Sequence, residues 1–329
     1  MSDKPRVWIS RPTFPGVIAR LEPYFEVTAE PAEVAFSRSE LAARLAGQDA
    51  AIVGLKERIG AAEIAGATRL RIVANLSVGY DNLDLDALSA AGIAVSNTAD
   101  VLNESVADYA WALMLGVARR MSAAERWLRA GHWHATEFKA WLGSDVRGRT
   151  LGILGMGRIG QAIAHRAAGF GMPVLYHNRS PLPEADERAC NARYVDKQQL
   201  LRESDFLMLV LPLTAQTRHA IAAPELALMK PTAMLINVAR GGIVDDAALA
   251  AALRERRLAG AALDVFEGEP AVNPGLLALD NVVLSPHIAS ATTETRRAMT
   301  SVAVDNVLAI FGFGQHAGRP PNILNPNVL

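Results

Sequence analysis

The segment Gly155-Met156-Gly157-Arg158-Ile159-Gly160 limits what this chain can fold into more than any other feature. It is a G-x-G-x-x-G run that directly follows a strand candidate, Leu151–Leu154. It opens a helical pattern, Ile159 to Ala168, that Gly169 and Gly171 bring to an end. In that setting each glycine has a task. The first permits a tight turn, the second lets backbone N–H groups reach a pyrophosphate, and the third lets helix and strand pack closely. The helix then turns its positive end toward the phosphates. Gly155, Gly157, Arg158, Ile159 and Gly160 are therefore cofactor-binding candidates in an α/β dinucleotide-binding fold.

The flanking sequence supports such a sheet. Strand candidates Val174–His177, Phe206–Leu211, Ala233–Asn237, Ala261–Val265 and Val282–Leu284 follow Leu151–Leu154, giving six strands with intervening helices. Before the glycine loop the same alternation is read at Val7–Ile9, Ala50–Val53, Arg71–Leu76 and Ile93–Val95. Ser37 with Glu40 forms a capping box for a helix through Ala46, and Asp84 to Ala91 is a helix stopped by Gly92. Asn103 is expected to cap a long helix to about Arg120, with Ala107, Ala110, Trp111, Met114, Leu115 and Ala118 on its apolar face. Residues 122–149 are poorly periodic. A last helical pattern carries Met299, Val302, Ala303, Val307 and Ile310 on one face, and the tail after Gly312 is expected to be irregular.

Composition removes several classes. The chain has 329 residues, 50% hydrophobic and 20% charged, with a formal net charge of −1, so nothing points to nucleic acid or an anionic membrane surface. No stretch approaches the roughly 18 apolar residues that span a bilayer, and residues 1–12 lack the apolar core of a secretion signal. The single cysteine, Cys190, excludes an internal disulfide and a cysteine-cluster metal site, and no metal is expected. A cytoplasmic protein is expected.

The strand Val174–His177 is followed by Asn178-Arg179-Ser180, and the first acid after it is Glu184. An NAD-selective site needs a carboxylate there for the ribose hydroxyls. Arg179 would instead attract a 2′-phosphate, with Asn178 and Ser180 as hydrogen-bond donors. NADP(H) is the expected cofactor, with NAD(H) as the alternative.

Three charged residues sit just beyond the ends of strand candidates: Arg240 after Ala233–Asn237, Glu269 after Ala261–Val265 and His287 after Val282–Leu284. The carboxyl ends of the strands are where open α/β sheets bind ligands. An arginine, a carboxylate and a histidine beside a nicotinamide form a carbonyl-reduction site.

These residues lie in stretches that resemble the D-isomer-specific 2-hydroxyacid dehydrogenases: Leu235 to Asp245, Leu263 to Pro270 and Ser285 to Ser290. The resemblance runs from Leu76-Ser77-Val78-Gly79-Tyr80-Asp81 to the last helix. It implies two Rossmann-like parallel-sheet domains with a cleft between them, one a flavodoxin-like substrate domain and one dinucleotide-binding. Residues 1–98 and 289–329 would form the substrate domain and residues 99–288 the NAD(P)-binding domain. The implied reaction is reduction of a small 2-oxo acid to a D-2-hydroxy acid, with His287 as general acid, Glu269 orienting its imidazole and Arg240 gripping the substrate. The resemblance further implies that backbone N–H groups of Val78 and Gly79 cradle the substrate carboxylate. It also implies that Ser290 lies at the substrate, and that Asp264, Pro212, Thr217 and Val238 border the cofactor.

The pattern Leu76 to Gly79 with Asn178-Arg179-Ser180 is most similar to the NADPH-using glyoxylate, hydroxypyruvate and 2-ketogluconate reductases. Lys56, in a loop that lines the substrate cleft in relatives, would favour a longer acid if it turns inward. A solvated loop lysine is the simpler reading. Trp141 resembles an aromatic that reaches a neighbouring subunit's site in some relatives, with ordinary packing as the alternative. A homodimer is expected, on the helix 103–120 and the tryptophan-bearing stretch after it. Another acid specificity, or a dinucleotide-sensing corepressor-like role, is the competing reading.

Overall fold

The computed structural model describes residues 4–136 and 138–329, so the start of the 1–12 stretch lies outside the described residues. The chain forms two compact units, residues 1–102 with 291–329, and residues 103–290.

In the first unit the strands are β1 (Arg6–Ile9), β2 (Glu26–Ala29), β3 (Ala50–Val53), β4 (Ile72–Asn75) and β5 (Ala94–Ser96). They form one parallel sheet in the order β2-β1-β3-β4-β5. Successive side chains of a strand point to opposite faces, and here both faces are buried. Val7, Ile9, Ile52 and Ile72 meet Val304 and Val307 of the helix Thr293–Ile310 on one side. Trp8, Ala51, Val53 and Val73 meet Leu41, Leu45 and Leu88 on the other. The C-terminal helix thus returns to the N-terminal sheet. The Ser37–Glu40 capping box is present in full.

The second unit holds β6 (Leu151–Leu154), β7 (Val174–His177), β8 (Ala192–Tyr194), β9 (Phe206–Leu209), β10 (Met234–Asn237), β11 (Gly260–Leu263) and β12 (Val282–Leu284). All pair in parallel in the order β12-β11-β10-β9-β6-β7-β8. The chain direction across the sheet reverses between β6 and β9, the switch point at which such sheets bind nucleotides. The helix Asn103–Ala118 covers one face, where Trp111 stacks on Phe170 at 4.6 Å and donates from Nε1 to the Ile163 carbonyl at 3.1 Å.

Some details depart from the sequence expectation. β2 and β8 are edge strands with largely exposed or half-buried residues, so they lack the apolar run that marks the buried strands. The second sheet therefore has seven strands rather than six. Asn103 is the first residue of its helix rather than its cap, and the helix ends at Ala118. A separate helix, Met121–Arg129, occupies part of the poorly periodic stretch, with Ala123 its buried residue. No helix among the described residues is long and apolar enough to cross a membrane.

Candidate active site

The glycine loop lies between β6 and the helix Arg158–Ala167, at the switch point. Gly155 has φ +104°, and a Cβ there would stand 2.5 Å from the Val210 carbonyl oxygen; one at Gly160 would stand 2.5 Å from that of Gly155. A Cβ at Gly157 would meet nothing within 4 Å, so this glycine faces open space at the helix N-terminus. Two glycines are thus required by packing, and the middle one leaves an uncovered cradle of the kind a pyrophosphate needs. Gly155 N–H donates to the His177 carbonyl at 3.1 Å.

Arg179 and Ser180 are exposed beyond β7. The first acid, Glu184, pairs with Arg188 at the start of the next helix. Asn178 has a task within the fold: its Oδ1 accepts from Met156 N at 2.7 Å and so braces the glycine loop. Beyond β9, the turn from Pro212 to Thr217 closes on itself. Thr217 Oγ1 donates to the Pro212 carbonyl and accepts from Thr214 N, both at 2.7 Å.

Arg240 follows β10 in a turn shaped by Asn237. The Asn237 amide oxygen accepts from Ala239 N, and its Nδ2 donates to the Arg240 carbonyl, each at 3.1 Å. Val238 is buried in this turn, and the half-buried Arg240 donates from Nη1 to the Ala239 carbonyl at 2.8 Å. Glu269 follows β11. Its Oε1 accepts from Phe266 N at 2.9 Å, and its Oε2 stands 2.8 Å from His287 Nδ1. Burial alone would push this carboxyl up. The hydrogen bond and charge of His287, the Phe266 N–H and the Arg240 charge together hold it below the usual range. An ionised carboxylate only accepts, so Nδ1 carries the proton and Nε2 remains for proton transfer.

His287 itself has φ +56°, a conformation that costs energy in a non-glycine residue. The fully buried Asp264 holds it there. Oδ1 accepts from Ser285 Oγ at 2.7 Å and Ile288 N at 2.9 Å, and Oδ2 accepts from Ala289 N at 2.8 Å. Burial raises the Tyr109 hydroxyl above its usual range; its bond to Ser285 works against this, and the Asp264 charge adds to it. Tyr109 comes from a helix far away in sequence, and no motif signalled it. Ser290, half-buried, ends this loop.

Three of the singled-out residues, Val78, Gly79 and Lys56, lie in the other unit. Val78 and Gly79 follow β4, where the Asn75 and Asn97 side chains each donate to their carbonyls at 2.9 Å. Sequence reasoning passed over both asparagines, whose role depends on the fold of the loop. Lys56 is exposed beyond β3. In the second unit, Trp141 packs within the chain, with Trp127 at 5.4 Å and the Arg120 guanidinium 4.9 Å above its ring.

A glycine cradle at the switch point, with an imidazole–carboxylate pair and an arginine at the same sheet edge, defines a nicotinamide-dinucleotide oxidoreductase. Residues 111–289 match the model of the D-isomer specific 2-hydroxyacid dehydrogenase NAD binding domain. The glyoxylate reductase of Thermococcus gammatolerans is 45% identical, over 99% of this chain and 97% of its own length. That of Thermococcus onnurineus is 46% identical with the same coverage. The crystal structure of an NADPH-dependent glyoxylate/hydroxypyruvate reductase from Sinorhizobium meliloti, in complex with NADP and malonate, superposes with a TM-score of 0.85 at 37% identity, covering 98% of each chain. A Thermus thermophilus protein structure gives 0.89 at 40% identity, covering 97% of this chain and 99% of that one. The chain belongs to the D-isomer specific 2-hydroxyacid dehydrogenase family.

Proposed function

We propose that this enzyme reduces glyoxylate and hydroxypyruvate to D-2-hydroxy acids with NADPH, with 2-ketogluconate as a further candidate. The observation that carries the reading is the His287–Glu269 pair at 2.8 Å, at the sheet edge that also presents Arg240 and the glycine cradle. The cofactor supplies the hydride. Arg240 binds the carboxylate or carbonyl oxygen of the acid and stabilises the charge developing on that oxygen. His287 Nε2 gives the oxygen its proton, and Glu269 fixes the tautomer and stabilises the charged ring. The first unit is the substrate domain, where Val78 and Gly79 N–H groups take the carboxylate. The glyoxylate and hydroxypyruvate reductase activities of its relatives, and the architecture they share with this chain, favour these roles.

Arg179 and Ser180, exposed where an NAD enzyme needs a carboxylate, support NADPH over NADH. Asn178, expected beside them as a donor, instead accepts from Met156 N and braces the glycine loop. A homodimer is favoured by the apolar residues exposed on and after the helix Met121–Arg129: Met121, Leu128, Trp133, Phe138 and Leu142. The nicotinamide chemistry and the lone buried thiol, Cys190, suit a cytoplasmic setting.

The test is oxidation of NADPH and NADH at 340 nm with glyoxylate, hydroxypyruvate, 2-ketogluconate, pyruvate and phenylpyruvate. Turnover of glyoxylate or hydroxypyruvate with higher kcat/KM for NADPH is expected. No turnover of any acid despite tight NADPH binding would overturn the reading. A preference for NADH would overturn the role of Arg179.

A further inference from the structure

Glu267 lies in the same stretch as Glu269 but takes no part in the reaction as described. Its carboxylate faces the turn that follows β9. Oε1 accepts a hydrogen bond from Arg218 Nη2, and both oxygens stand 3.1 Å from His219 Nε2. Its own N–H donates to Oδ2 of Asp246 at 3.0 Å.

Asp246 is buried at the start of the helix Asp246–Arg254. Burial first, then the charges of Glu267 and Asp245, push its carboxyl above the usual range, opposed by the Glu267 N–H and by His219.

His219 is in turn laced to the Arg240 loop. Its N–H donates to the Gly242 carbonyl at 2.7 Å, and Ile221 and residues 243–245 exchange two further backbone bonds, Ile221 N to Ile243 O at 3.1 Å and Asp245 N to Ile221 O at 2.9 Å. Phe266, next to Glu267, donates to the Glu269 carboxylate at 2.9 Å. A Cβ at Gly241 would stand 1.7 Å from the Phe266 carbonyl, so the loops bearing Arg240 and Glu269 run against each other backbone to backbone.

We propose that Glu267 is a positioning residue: gripped by Arg218 and His219, it locks the Glu269 loop onto the turn that carries the Arg240 loop, and so sets the spacing of Arg240 from the His287–Glu269 pair. The inference rests on the roles given to those three residues above. The grip matters through geometry rather than net charge energy. Arg218 is more than half exposed, and its ion pair with Glu267 is screened. Yet a displacement of about 1 Å at a reacting group can cost on the order of a hundredfold in rate.

The test uses the full chain. Wild type is first assayed on the 2-oxo acid panel, and its best acid is carried forward. Glu267→Gln loses the charge, and His219→Leu removes one donor, whereas His219→Gln keeps an N–H in its place. In the first two, kcat/KM for the acid is expected to fall roughly tenfold with KM raised, while Kd for NADPH, read by fluorescence, stays within about threefold. His219→Gln should recover most of the loss. A purely structural role would lower Tm and leave the KM–kcat split and the rescue unseen.

Wild-type turnover with both variants within twofold of it, or with only Tm changed, overturns the positioning role alone. Absence of wild-type turnover overturns the functional reading and this inference with it. Should Glu267→Gln fail to fold, the His219→Leu and His219→Gln pair decides the matter.

Discussion

Replacing Gly241 by alanine places a methyl carbon where the backbone of the Glu269 loop already runs. The added Cβ would stand 1.7 Å from Phe266 O and 2.1 Å from Phe266 C, where carbon atoms approach no closer than 3.0 Å. The deficit to the oxygen is 1.3 Å, and the obstacle is backbone, which no side-chain rotation removes. Gly241 adjoins Arg240, and Phe266 N–H holds Glu269, so relief of the clash moves the arginine away from the carboxylate–imidazole pair. A shift of about 1 Å at reacting groups costs on the order of 10²-fold, or about 2.7 kcal/mol of transition-state stabilisation. Overpacking of this kind also costs about 1–3 kcal/mol of stability, roughly 2–4 °C of Tm per kcal/mol for a domain of this size. Assays are therefore run well below the variant's Tm, following NADPH oxidation with glyoxylate and NADPH binding by fluorescence. The expected outcome is kcat/KM reduced about a hundredfold with NADPH affinity little changed. Gly157→Ala is the contrast: its Cβ meets nothing in the protein, so Tm should hold while NADPH binding weakens. A Gly241→Ala enzyme within threefold of wild type in kcat/KM would refute the reasoning.

Further expectations concern protons and assembly. His287→Ala should lower kcat on the order of 10²–10⁴-fold. A His287→Ala enzyme that kept near wild-type kcat would contradict the general-acid role. Asp205 pairs with Lys230 at 2.8 Å and accepts from Thr150 N at 2.9 Å. Burial would raise its carboxyl, but these partners hold it below the usual range, so its stabilising contribution is present above the ordinary carboxylate pKa and lost as pH falls through the depressed folded value. With Lys230 partly solvated, Asp205→Asn should cost about 1 kcal/mol near neutral pH, a gap in denaturant midpoint that closes in acid. Phe138→Asp, at a side chain 95% exposed, should shift the mass measured by light scattering from dimer to monomer without loss of the fold.

The buried strands were legible because both faces of a parallel sheet demand apolar residues, so Leu151–Leu154 and Phe206–Leu209 read as continuous runs. The edge strands β2 and β8 escaped because half-exposed strands carry no such run, and the helix Met121–Arg129 because so little of it is buried. At the candidate site, the glycine loop, Arg240, Glu269 and His287 were visible as short motifs whose chemistry is local. The contacts that hold them were not. Asp264 and Asn178 stood out only as cofactor candidates, yet Asp264 spends both oxygens on the His287 loop and Asn178 braces Met156. Tyr109 meets Ser285 from a distant helix, and His219 reaches Glu267 across 48 positions. The sequence by itself determined the buried parallel strands and the glycine loop, because each follows from hydrophobic period or from the requirements of one turn, and it marked Arg240, Glu269 and His287 as candidates by their place beyond strand ends. Only the tertiary structure decided which buried polar groups fix those candidates in place, because a hydrogen bond between residues far apart in the chain leaves no period and no spacing to read.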